Sequence, residues 1–160
     1  MTAVRVGLGV DLHRRAEGKA LTLGGVDFPG EPGLAAHSDG DVICHAISDA
    51  LLGAAGLGDL GQHFPDTDPR YEGIAGLDLL GRVVELLGRH DCTPVSCDAT
   101  FVGERPTVAP SRDRIRTNLA SALHIEVGAV SVKATRPEGL GLSGDGAGCF
   151  AVALVRTGGE

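Results

Sequence analysis

The feature that most constrains how this chain folds is an apolar periodicity between Val42 and Ala54. Val42, Ile43, Ala46, Ile47, Ala50, Leu51 and Ala54 recur with the 3.6-residue period of an α-helix, which runs up to Gly56. Ser38 or Asp39 stands where a capping oxygen would accept the first free amides. Asp41, His45 and Asp49 are spaced four apart, so a polar line runs beside the apolar face.

A second constraint lies upstream. Residues 4–12 are rich in Val and Leu and alternate loosely around glycines, the pattern of a β-strand. Asp11 and His13 are two apart at its end and therefore leave the same face of such a strand. His45 on the helix supplies a third donor. One carboxylate and two imidazoles suit Zn²⁺ with an open fourth position, as in catalytic rather than structural zinc sites.

Composition narrows the class further. The 160 residues suffice for one domain, residues 1–160, with a real core, and 42% hydrophobic content argues against disorder. Aromatic residues make up 3% and Trp is absent, so the core rests on Val, Leu, Ile and Ala; 25 Gly imply tight turns or close backbone approaches. A net charge of −7 gives no footprint for nucleic acid or an anionic membrane surface. A phosphate ligand would have to be met by metal ions, backbone amides or local cations. Cys44, Cys92, Cys97 and Cys149 form no C-x-x-C pair, and the first nine residues lack the apolar run of a signal peptide. Reduced thiols, a cytoplasmic location and no membrane span are the expectation.

The remaining pattern predicts a β-hairpin over 21–28 about Gly24 and Gly25, and an irregular, ligand-binding loop over 58–71. Helices are expected over 77–89 and 110–123, and strands over 95–102, 130–135 and 148–155. In the second helix Leu79, Leu80, Val83, Val84, Leu86 and Leu87 form the expected buried set. The fold class is α/β, an α+β sandwich: a mixed sheet with helices packed on one face and an N-terminal hairpin.

Taken together, these motifs resemble one family, the 2-C-methyl-D-erythritol 2,4-cyclodiphosphate synthases of the non-mevalonate isoprenoid pathway. The likeness runs through Gly7-Leu8-Gly9-Val10-Asp11-Leu12-His13, Ala36-His37-Ser38-Asp39-Gly40-Asp41-Val42 and His45-Ala46. It continues from Asp49 to Gly61 and through Phe64-Pro65-Asp66-Thr67-Asp68-Pro69, and ends in Lys133-Ala134-Thr135 and Gly139-Leu140-Gly141. The resemblance implies a homotrimer with active sites between subunits. It implies conversion of 4-diphosphocytidyl-2-C-methyl-D-erythritol 2-phosphate into the cyclic diphosphate and CMP, a lyase-type cyclising phosphoryl transfer.

The resemblance also implies roles. Asp11, His13 and His45 would hold Zn²⁺, and a Mg²⁺ or Mn²⁺ would bridge the substrate phosphates. Asp49, one turn beyond His45, is expected to fix the other ring nitrogen of that histidine. Substrate contacts fall to Asp11, Leu12, His13, His37, Ser38, Asp59, Leu60, Gly61, Phe64, Pro65, Asp66, Thr67, Asp68, Thr135 and Glu138, with Asp66 on the methylerythritol hydroxyls. Asp41 is expected either to reach the ligand or to favour the helix dipole. Nucleotide contacts fall to Gly103, Glu104, Arg105, Pro106, Thr107, Val108, Ala109, Thr135 and Arg136. His37 and Arg136 are the candidate catalytic residues.

Three stretches depart from the family's usual pattern. Thr107 stands where Lys is common, leaving Arg105 or Arg112 to meet the cytidyl phosphates. Arg136-Pro137-Glu138 replaces Thr-Thr-Glu. Leu142, Asp145 and Ala147 replace an aromatic residue, Arg and Glu. These departures leave two other readings open: a metal-binding sensor of nucleotides or isoprenoid phosphates, and a zinc phosphohydrolase using water.

Overall fold

A computed structural model describes residues 2–141 and 145–158. Leu142, one of the departures above, lies outside the described residues. Strand β1 (Ala3–Ala16) is followed by a small hairpin of β2 (Thr22–Leu23) and β3 (Val26–Asp27), then by β4 (Gly33–Leu34). Helices α1 (Val42–Ala55), α2 (Leu60–His63) and α3 (Gly76–Arg89) precede strand β5 (Cys92–Val102). Helix α4 (Arg112–Leu123) crosses to β6 (Val130–Thr135), and β7 (Gly146–Thr157) closes the chain. The main sheet has the order β4-β1-β7-β5-β6. Its pairs are antiparallel except β5 with β6, which are parallel and therefore need the α4 crossover.

Helices α1, α3 and α4 pack against one face of the sheet, α1 over β1 and β7. The reason is side-chain size. The inner face carries Gly7 and Gly9 on β1 and Ala147, Cys149, Ala151 and Ala153 on β7, all buried. A Cβ on Gly9 would overlap the Ala46 carbonyl oxygen of α1, and one on Gly7 the Ala50 carbonyl. Backbone thus touches backbone, and a core with few aromatic residues still fills its space. The outer face alternates with it and exposes Val4, Val6, Leu8, Val10, Leu12, Phe150 and Val152.

The hairpin, the three long helices and the strands form where the sequence predicts them. Gly24 (φ 55°) and Gly25 (φ 71°) make the turn of β2 and β3, a conformation that suits glycine. In α3, Leu79, Leu80, Val83 and Leu87 are buried while Val84 and Leu86 are half-buried. All four cysteines are buried free thiols. Among the described residues, no helix is long and apolar enough to cross a membrane.

Two expectations are corrected. The N-cap of α1 is Asp41, not Ser38 or Asp39. Asp39 instead accepts from the amides of Asp41 (3.0 Å) and Gly76 (2.8 Å), and Ser38 Oγ accepts from Gly40 N, so both build the turn that leads into the helix. The stretch 58–71 is not irregular throughout. Asp59 caps α2 through Gln62 N, and Asp68 caps a 3₁₀ turn, Pro69–Tyr71, through Arg70 N.

Replacing Gly9 with Ala is expected to cost about 2–3 kcal/mol by overpacking against α1. Gly53, on the exposed side of α1 with nothing near its missing Cβ, provides the control. Its change to Ala should leave stability unchanged or raise it by up to ~1 kcal/mol in the same urea denaturation.

Candidate active site

The close approach of β1 and α1 also builds the site. Gly9 contacts Ala46, so Asp11 and His13, two and four residues further on, face His45 at the first turn of the helix. His13 Nε2 lies 3.0 Å from Asp11 Oδ1 and His45 Nδ1 lies 3.2 Å from Asp11 Oδ2. Each residue offers one donor atom, all within 4.8 Å of one another. Asp11 Oδ2 is buried and accepts no hydrogen bond of good geometry from any described residue. An unpartnered buried carboxylate oxygen facing two imidazoles is the arrangement a cation completes. Burial pulls the Asp11 carboxyl upward, but the two adjacent imidazoles outweigh it and lower its pKa to about 2. The contact with Asp11 raises the pKa of His13 against an opposing effect of burial.

The other nitrogen of His45 is fixed by Ser38, whose Oγ lies 3.1 Å from Nε2. This corrects the expectation for Asp49. The Asp49 carboxylate accepts from Leu60 N at 2.8 Å and so ties α2 to α1. Half-burial raises its pKa, against the lowering effect of that amide.

For Asp41 the helix-terminus alternative holds: it is the N-cap of α1. It is fully buried and accepts from Gly24 N and Gly25 N at 2.9 Å each, from Cys44 N at 3.1 Å and from the Cys44 thiol at 3.3 Å. Burial raises its pKa in spite of the Gly24 and Gly25 amides. Its carboxylate docks the hairpin onto the start of α1.

A cavity of about 250 Å³ opens beside the cluster. Asp11, His13, His37, Ser38, His45, Asp49 and Asp66 supply its polar lining, and Leu60, Phe64, Tyr71, Ile74 and Leu79 its apolar lining. His37 Nε2 is buried and has no hydrogen-bond partner among the described residues. Of the residues expected in the 58–71 loop, Leu60, Phe64 and Asp66 line this cavity. Asp59 and Asp68 act as caps, while Gly61, Pro65 and Thr67 lie outside the lining.

Sequence reasoning missed Tyr71, Ile74 and Leu79 at this wall. Phe64 meets Tyr71 edge-on at 5.3 Å between ring centroids, so the lone tyrosine is held by the loop it closes. Ile74 and Leu79 read in the sequence as ordinary core or turn residues, and no motif marks them.

The remaining candidates lie apart from this cavity. Register places Leu12, Gly148, Val102 and Thr135 in one row across the sheet, so the segment after β5 emerges at the same end as the histidines. Leu12 faces the outer side, opposite Asp11 and His13. Gly103 N donates to Thr135 O, and Glu104 Oε1 accepts from Gly139 N. Thr107, Arg136 and Glu138 are exposed, whereas Pro106 is half-buried and Val108 buried. Arg105 pairs with Glu31 and Asp145 with Arg14 at 2.9 Å.

Comparison with known proteins decides the family. The model of the YgbB family matches residues 4–157. The chain belongs to the YgbB family. A relative of this YgbB-family chain, the 2-C-methyl-D-erythritol 2,4-cyclodiphosphate synthase of Chloroherpeton thalassium, is 50% identical over 151 residues, covering 94% of this chain and 96% of that protein. Among solved structures, the bifunctional IspDF of Campylobacter jejuni superposes with a TM-score of 0.92 at 31% identity, over 99% of this chain and 43% of that one. The CDP complex of Plasmodium falciparum IspF superposes with a TM-score of 0.81 at 32% identity, over 96% of each chain.

Removing Ser38 Oγ frees the His45 ring. A Ser38→Ala variant is expected to bind Zn²⁺ about tenfold more weakly in competition with a chromophoric chelator. Asp49→Ala should weaken it less, because Asp49 supports α2 rather than the ring.

Proposed function

We propose that this protein converts 4-diphosphocytidyl-2-C-methyl-D-erythritol 2-phosphate into 2-C-methyl-D-erythritol 2,4-cyclodiphosphate and CMP. The observation that carries the proposal is the Asp11–His13–His45 cluster with its unpartnered buried oxygen beside the cavity. The synthase name borne by relatives about 50% identical supports it and disfavours a non-catalytic sensor.

In the reaction, an oxygen of the 2-phosphate attacks the β-phosphorus. The bond from that phosphorus to the bridging oxygen breaks, and CMP leaves with the electron pair. Asp11, His13 and His45 would hold Zn²⁺, which supplies Lewis-acid polarisation of a phosphate oxygen. A Mg²⁺ or Mn²⁺ bound by the substrate phosphates would offset their charge. His37, with its free Nε2, donates to a phosphate oxygen and stabilises charge developing there. Ser38 holds His45 in orientation and Asp66 receives the methylerythritol hydroxyls. Phe64 and Tyr71 exclude water from the cavity. The backbone of residues 103–109 reads the cytosine, and the exposed guanidinium of Arg136 meets its phosphates from beside Thr135 and Glu138.

The whole chain, residues 1–160, acts as a single domain in a cytoplasmic homotrimer. The outer face of the sheet, where Val4, Val6, Leu8, Val10, Leu12, Phe150 and Val152 are exposed side by side, supports self-association.

Zinc-loaded protein incubated with the cytidyl substrate and Mg²⁺ is expected to release CMP and cyclic diphosphate in equal amounts. Uncyclised phosphates would instead point to hydrolysis, and absence of turnover with bound zinc would refute the proposal. A Leu8→Asp change on the outer face should shift sedimentation from trimer towards monomer.

A further inference from the structure

The segment proposed to read the nucleotide is anchored from outside itself. Near the end of β1, Arg15 is half-buried and donates from Nη1 to Pro32 O at 3.1 Å and from Nη2 to Arg105 O. Glu31 meets the second of these residues: its Oε2 is buried, has no hydrogen bond of good geometry, and stands 3.1 Å from Arg105 Nε.

Leu12 and Val102 share one row of the sheet, so Arg15, three residues further along β1, and Arg105, three residues beyond the end of β5, lie at the same end of it. The Arg105 guanidinium is therefore committed to a neighbouring carboxylate. It is not a free cation for the cytidyl phosphates at the position where Thr107 offers none.

We propose that Glu31 is a positioning residue for nucleotide binding: by pairing with Arg105, whose backbone carbonyl Arg15 holds, it keeps the 103–107 backbone in the shape that receives the cytidine. Without its charge the Arg105 side chain loses that partner, and the segment keeps only the Arg15 contact to its backbone. The inference rests on the synthase reading above.

Calorimetry of the zinc-loaded full chain with CDP provides the test. Glu31→Gln should weaken CDP binding about fivefold and raise KM by a similar factor with kcat little changed, while zinc affinity stays at the wild-type value. Arg105→Gln should also weaken CDP. The double variant should be no weaker than the poorer single variant, as expected of two residues acting through one contact. Additive losses, or wild-type CDP affinity in Glu31→Gln, would overturn the proposal. A fall in zinc affinity would overturn it too, by making the effect general damage. Failure of the wild-type protein to bind CDP would instead remove the synthase reading, and this proposal with it.

Discussion

The structure depends on the contact between the glycines of β1 and the backbone of α1. Gly7 and Gly9 leave no side chain between strand and helix, so the carbonyls of Ala50 and Ala46 sit directly on the sheet. Three consequences follow from that one distance. Under α1 the buried face of β1 and β7 carries small residues, from Gly7 and Gly9 to Ala147, Cys149, Ala151 and Ala153. The large aliphatic side chains of β1 are left on the opposite face. Asp11 and His13 also come within reach of His45, although 31 or more positions separate them along the chain.

Asp41 locks the same region from the other side. A buried carboxylate is costly unless its oxygens are satisfied, and here four donors satisfy it. Those donors come from the hairpin turn and from the first turn of α1, so one side chain fixes two elements. Asp39, two residues before, extends the arrangement to α3 through Gly76 N, where a Cβ would crowd Asp41. His37 and Ser38 precede this clamp immediately. Their side chains therefore face the cavity from a rigid base rather than a free loop.

Much of this was legible in the sequence. The period of α1, the Gly24-Gly25 turn and the two-residue spacing of Asp11 and His13 are local signals, and local signals survive into the fold. What was not legible depends on which oxygen meets which donor. Asp39, Asp41 and Ser38 are all competent caps, and only the position of the hairpin and of α3 decides that Asp41 caps while the others brace the turn. Asp49 has the right spacing to reach His45, but the Leu60 amide competes for it and Ser38 takes the ring nitrogen. Tyr71, Ile74 and Leu79 belong to the cavity wall because α2 and the 3₁₀ turn fold back over it. Two caps set that path, and hydrophobic periodicity does not register them.

The metal ligands and the 103–109 segment leave the same end of the sheet, yet β7 separates β1 from β5. A single cavity within this chain does not contain both groups. The homotrimer proposed above would let a second copy bring one group to the other, with the apolar face of β1 and β7 as the proposed surface of contact. In such an assembly the chain's net charge of −7 opposes an anionic ligand at every site. Local compensation therefore governs binding. Arg14 is occupied by Asp145 and Arg105 by Glu31, so positive charge for the substrate must come from the metal ions and from cations such as Arg136 that have no such partner in the described structure. Arg136 fits the same constraint: with Arg105 held by Glu31, the exposed guanidinium beside Thr135 is the cation that the proposed reading assigns to the nucleotide phosphates.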